Sequence, residues 1–193
     1  MIRTTIVIAA TLATTSALVV IPAKAGPRAP PAWKSSMPAP GPEHARLTAM
    51  SGTWDLEMTF WFQPGTQGMT TKATSVIRPL LGGLFIEEKI DGLLNGMPFT
   101  TLSWTGFNTG TREYEATRIS STNTSRITEN GAWDEQAGRF ELKGSYKLAG
   151  ETWTQRTVIQ PSAGDTMVVA SYLSFGKVPE WKALEIRYKK RAT

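Results

Sequence analysis

Few residues in this chain of 193 have the type and spacing that chemistry needs. The most informative are two adjacent carboxylates, Glu87-Glu88, inside the apolar run Leu84–Asp91. Leu84, Ile86 and Ile90 share strand parity with Glu88, so an inward face here carries the Glu88 carboxyl into the core. A carboxylate there is costly unless paired, and such groups concentrate at sites. Arg118, Arg126, Arg156, Tyr114 and Tyr146 have the chemistry to pair with it. An inward Glu88 with an arginine either orients the polar head of a ligand or forms a buried structural network. A slip of parity at a bulge near Gly82-Gly83 leaves both glutamates in water instead.

The other reactive types are scarce. His44 is the only histidine and there is no cysteine. A lone His is a candidate general base or axial haem ligand. His44 sits in a short helix-forming stretch beside a Pro-rich segment, so it is expected to be solvent-exposed or to cap that helix. A haem-binding barrel of the nitrobindin kind instead places its proximal His on a strand facing the cavity. One His, no Cys and dispersed carboxylates do not make a typical zinc or iron site. No EF-hand spacing and no G-x-S-x-G is present. Thiol catalysis, Cys-ligated zinc and a lipid-anchored lipoprotein are excluded outright. No catalytic residue, metal or cofactor is assigned.

The elements that position these groups begin after a leader. Arg3, the uncharged stretch Ile6–Ile21 and Ala23-Lys24-Ala25 have the pattern of a signal peptide (residues 1–25), cleaved between Ala25 and Gly26. The stretch is shorter than the roughly 20 residues a membrane span needs. No later apolar run is long enough to cross a bilayer, so no stable span is expected after cleavage. The protein is thus expected to be exported, to the periplasm or beyond. Losing Arg3 and Lys24 leaves 19 basic residues against 16 acidic ones, a formal charge of +3. They are scattered apart from Lys189-Lys190-Arg191, which argues against a nucleic-acid partner.

Residues 26–42 (GPRAPPAWKSSMPAPGP) read as a Pro-rich tether, with Trp33 its only large apolar residue. Glu43–Met50 predicts one or two helical turns ended by Gly52. The period then becomes two. Trp54, Leu56, Met58, Phe60 and Phe62 alternate with polar residues over Thr53–Phe62, and only Trp61 breaks the pattern. About ten such segments follow one another, among them Thr124–Trp133, Arg139–Tyr146 and Trp181–Lys190, separated by Gly, Asn, Asp and Pro turns. This predicts an all-β domain over residues 43–191: a single antiparallel up-and-down barrel of about 8–10 strands, preceded by a short helix.

The helix followed by Gly52-Thr53-Trp54 resembles the G-x-W start of lipocalins and the wider calycin group. The resemblance implies that Trp54 plugs the closed end and stacks on an Arg of the last strand, here Arg187. The ordered run PGPEHARLTAMSGTW, LLGGLFIEEKIDG, GMPF, GFNTGTREY and LEIRY is similar to a widespread bacterial family of unknown function with a lipocalin-like barrel. The match extends over about Pro40–Lys190. It implies the fold and carries no activity with it. The short first turn and the lack of cysteine differ from lipocalins proper, so no lipocalin ligand is carried over.

Aromatic residues are plentiful on the strands, and a barrel of this size can enclose a cavity. The expected lining is Met58, Phe60, Phe62, Glu88, Trp104, Tyr114, Phe140 and Tyr146, holding a small apolar or amphipathic molecule. Two alternatives stand beside it. One is a filled barrel acting through its surface or its tether. The other is a hydrolase or isomerase using buried Glu and Tyr groups.

Overall fold

The computed structural model describes residues 38–162 and 165–192. The signal peptide, its cleavage site and most of the Pro-rich segment, Trp33 included, lie outside the described residues. The described chain runs α1 (Pro42–Thr48), β1 (Gly52–Phe60), β2 (Met69–Leu80), a 3-10 turn (Leu81–Gly83), β3 (Phe85–Leu94), β4 (Met97–Asn108) and β5 (Glu113–Ser120). It continues β6 (Ile127–Asp134), β7 (Arg139–Leu148), β8 (Glu151–Pro161), β9 (Thr166–Phe175) and β10 (Val178–Lys190). Each strand pairs with its sequence neighbours and β10 closes on β1, giving an antiparallel barrel of ten strands. Closure removes the unpaired edge that an open sheet would present.

The alternation of the sequence becomes the wall of the barrel. In β1, Trp54, Leu56 and Met58 are buried while Asp55 and Glu57 face water. The strand stops at Phe60, short of the expected Phe62, where Trp61 breaks the period. The Trp61 carbonyl accepts the indole N–H of Trp181 at 3.0 Å. β6 begins at Ile127 and not at Thr124, because Asn123 Oδ1 accepts the Ser125 N–H at 2.9 Å and folds that segment into a turn. The β3–β4 turn is Asn95-Gly96 with φ of 52° and 77°. This two-residue left-handed turn matches the twist of its strands and sets their register.

α1 closes one end. It ends at Thr48, before the expected Met50, and Gly52 opens β1 instead of capping the helix. Leu47 and His44 are buried beneath it. His44 Nδ1 accepts the Gly41 N–H at 3.0 Å, and its ring meets Phe107 edge-on at 5.9 Å. The histidine therefore caps the helix, and it is buried where the alternative had it exposed.

Trp54 lies at this closed end, 3% exposed, donating its indole N–H to the Met50 carbonyl at 3.1 Å. The expected Trp54–Arg187 pair does not form. The residue opposite Trp54 on β10 is Lys190, whose Nζ stands 5.3 Å from the ring centroid. Arg187 is opposite Glu57 on the outer face and bonds Glu185 at 2.8 Å. Parity explains the correction: Arg187 is three residues from Lys190, which on a strand puts it on the other face.

Candidate functional site

Below the plug, Phe140 packs edge-on against Tyr114 at 4.8 Å and against Trp133 at 4.7 Å. The void left among Leu47, Tyr114, Phe140 and their neighbours is about 40 Å³, too small for a ligand. Toward the other end the barrel opens. A cavity of about 460 Å³ is lined by Met58, Phe60, Ile90, Leu184 and Ile186, with Glu88 and Arg118 among its polar groups. A vestibule of about 290 Å³ at the mouth shares Phe60, Phe62 and Arg118 with it and is bordered by Tyr146, Trp153 and Trp181.

β3 keeps its parity past Gly82-Gly83, so Glu88 faces inward, opposite Ile77 of β2 and Ser103 of β4. Its Oε1 accepts the Ser75 hydroxyl at 2.7 Å and the Tyr188 hydroxyl at 3.0 Å. Burial pushes the Glu88 carboxyl above the usual carboxylate range, against the pull of those hydroxyls and of Arg118. Tyr188 is raised well above an ordinary phenol by burial and by the glutamate beside it, so it keeps its proton and donates a hydrogen bond to Oε1.

A second buried carboxyl stands on β6, three strands round the wall from β3. Glu129 accepts from Arg118 Nη2 at 3.1 Å, Thr157 Oγ1 at 2.7 Å and Gln155 Nε2 at 3.3 Å. Thr157 also meets Ser171 at 3.3 Å. Burial raises the Glu129 carboxyl, with the arginine and the two polar neighbours opposing. Gly144 makes room here: a Cβ on it would stand 3.0 Å from Glu129 Cγ and only 1.9 Å from the Thr128 carbonyl oxygen.

The structure thus brings together only part of the expected lining. Met58, Phe60 and Glu88 line the cavity, and Phe62 stacks on Phe60 at its mouth, 60% exposed. Tyr146 borders the vestibule, where burial raises its phenol. Tyr114 and Phe140 belong to the packed closed end, and Tyr114 donates its hydroxyl to the Glu43 carbonyl at 3.2 Å. Trp104 is on the outer face, opposite Glu87, to which its indole N–H donates at 3.0 Å. Its parity is that of Glu87, and Ser103 and Thr105 take the inward places. Of the arginines named as partners, Arg118 enters the barrel. Arg126 is exposed, and Arg156 pairs with Glu180 outside at 2.6 Å.

Glu129, Gln155, Thr157 and Ser171 join the site with no motif to mark them. Their signal was parity alone: Ile127, Glu129, Gly131 and Trp133 alternate, as do Trp153, Gln155, Thr157 and Ile159. Among the described residues, no group of three or more His, Asp or Glu side chains comes together to hold a metal ion.

This geometry is carried by a known sequence pattern. The family model described as "Protein of unknown function (DUF1579)" matches residues 39–190. The chain belongs to the DUF1579 family. Its fold is also that of the crystal structure of Rv2717c from M. tuberculosis, at 15% sequence identity and a TM-score of 0.58. That likeness covers 79% of this chain and 99% of the other, and at such identity it concerns the fold alone. No curated protein matches the chain. Among the described residues, no helix is long and apolar enough to cross a membrane.

Proposed function

We propose that this DUF1579 protein is an exported binding protein that holds a small apolar or amphipathic molecule inside its barrel. The observation that carries the reading is the cavity of about 460 Å³ beside a closed end packed almost solid. Its volume falls in the range of ligand pockets, roughly 300–1,000 Å³. A mostly apolar lining with a few convergent polar groups is what such pockets use: area for affinity and hydrogen bonds for orientation. Export rests on the leader pattern of Arg3, Ile6–Ile21 and Ala23-Lys24-Ala25.

Native mass spectrometry of the protein purified from its source tests the reading. A co-purified mass of a few hundred daltons, lost on mild denaturation, is the expected result. A bare polypeptide mass, with no lipid or fatty acid raising the melting temperature, overturns it.

A further inference from the structure

We infer that Glu88 is held as a neutral acid with its proton on Oε2, and that the barrel selects neutral apolar molecules carrying a carbonyl group, which accepts that proton's hydrogen bond. The inference rests on the cavity-binding reading and names its ligand class.

The two interior carboxyls are bound in different ways. Glu129 uses both oxygens: Oε1 takes Thr157, and Oε2 takes Arg118 and Gln155. It has a cation in contact. Glu88 receives two hydroxyl protons on one oxygen, Oε1, from Ser75 on β2 and from Tyr188 reaching across from β10. Ser103, opposite Glu88 on β4, also draws on the carboxyl, more weakly than the two hydroxyls on Oε1. Those two hydroxyls by themselves favour a carboxylate, but once the acid is neutral its proton belongs on Oε2, because Oε1 is already taken by two O–H donors.

The surroundings favour the neutral form. The side chains facing Glu88 are Ser75 and Ile77 from β2, Ser103 from β4 and Tyr188 from β10. None carries a positive charge. The nearest cation is Arg118, one strand beyond Ser103 in the same cross-strand row, and it is already bonded to Glu129. Burial raises the Glu88 carboxyl in agreement. With Glu88 neutral, one arginine balances one carboxylate inside the barrel.

That balance selects the ligand. An amine would need an ionised Glu88 beside it. A carboxylate would bring a second anion to an arginine already engaged. A ketone, ester or amide brings no charge and offers the acceptor that a carboxylic acid lacks here; an apolar site can hold a carboxylic acid neutral for this purpose. Met58, Phe60, Ile90 and Leu184 then cover the apolar body.

The test compares decyl methyl ketone, decylamine and decanoate by calorimetric titration of the mature protein at neutral pH, with E88Q and E88L alongside. The ketone should bind at least about tenfold tighter than the other two, E88L should lose about tenfold of that, and both numbers correspond to one hydrogen bond to a buried partner. Ketone binding should fall as pH rises through the raised Glu88 value. In E88Q, which keeps an N–H donor but cannot ionise, that fall should vanish. An infrared difference spectrum of wild type against E88Q should show a protonated carboxyl band. Preference for the amine, or equal binding of all three chains, overturns the neutral-donor assignment and leaves the cavity reading standing. Failure of all three chains to bind overturns both.

Discussion

The two halves of the barrel are built from the same alternating strands but filled differently. At the closed end, aromatic rings interlock: Trp54 on Tyr188, Tyr114 on Phe140, Phe140 on Trp133. Toward the mouth, inward positions are occupied by Ser103, Arg118, Gln155, Thr157 and Ser171, with Glu129 bonded among them, and space remains beside them. The closed half derives stability from dispersion and burial at near-crystalline density. The open half gives up that contact for a cavity whose polar groups must satisfy one another. Position along the barrel axis, and not strand identity, decides whether an inward side chain is core or site. β7 shows it within one strand, with Phe140 in the plug and Tyr146 at the vestibule.

The sharpest way to break the contrast is to empty the plug. F140A should cost about 3–5 kcal/mol in urea unfolding, the usual price of deleting a fully packed aromatic. A cost below about 1 kcal/mol would mean that the closed end is as loose as the mouth. Next in size is R118M, which strips Glu129 of its cation. Removing one partner of a buried ion pair costs about 3 kcal/mol at neutral pH. Glu129 is already raised by burial, so the loss should shrink as pH falls and the carboxyl takes up a proton.

A smaller effect with a definite sign is expected at Glu88. Its folded-state pKa is raised, so the folded protein binds a proton that the unfolded chain has released. Its contribution is fully present below the unfolded glutamate value, near 4.3, and is lost as pH rises toward the folded value. E88Q should therefore gain relative to wild type as pH increases over that window, by at most about 1.4 kcal/mol per pH unit. Parallel pH profiles for the two proteins would show that Glu88 is ordinary. The smallest effect belongs to R187A. On the outer face, bonded only to Glu185, Arg187 should change stability by no more than about 0.5 kcal/mol. A loss of several kcal/mol would restore it as the partner of Trp54.

Much of the architecture was legible in the residue order. Strict alternation in β1 and β7, turn pairs such as Asn95-Gly96 and the absence of helical period after Gly52 specify a closed antiparallel sheet, because period two leaves one face to bury and short turns leave no room for crossovers. The inward Glu88 was legible for the same reason: Ile86 and Ile90 flank it at even spacing. The rest of the site was harder to read. Glu129, Gln155 and Thr157 also obey parity, but a polar residue on an alternating strand reads as outward until its neighbours across the lumen are known.

Which side chains share a face follows from residue order alone, since it depends only on the pleat of each strand. What each face meets is set by the assembled barrel. Register put Lys190, and not Arg187, opposite Trp54, and it put Trp104 outside with Glu87. Closure of β10 on β1 brought the Tyr188 hydroxyl over β1 and β2 to Glu88, 100 positions earlier in the chain. Contacts across a barrel are set by its circumference and stagger, which sum over all ten strands and are written in no single one of them.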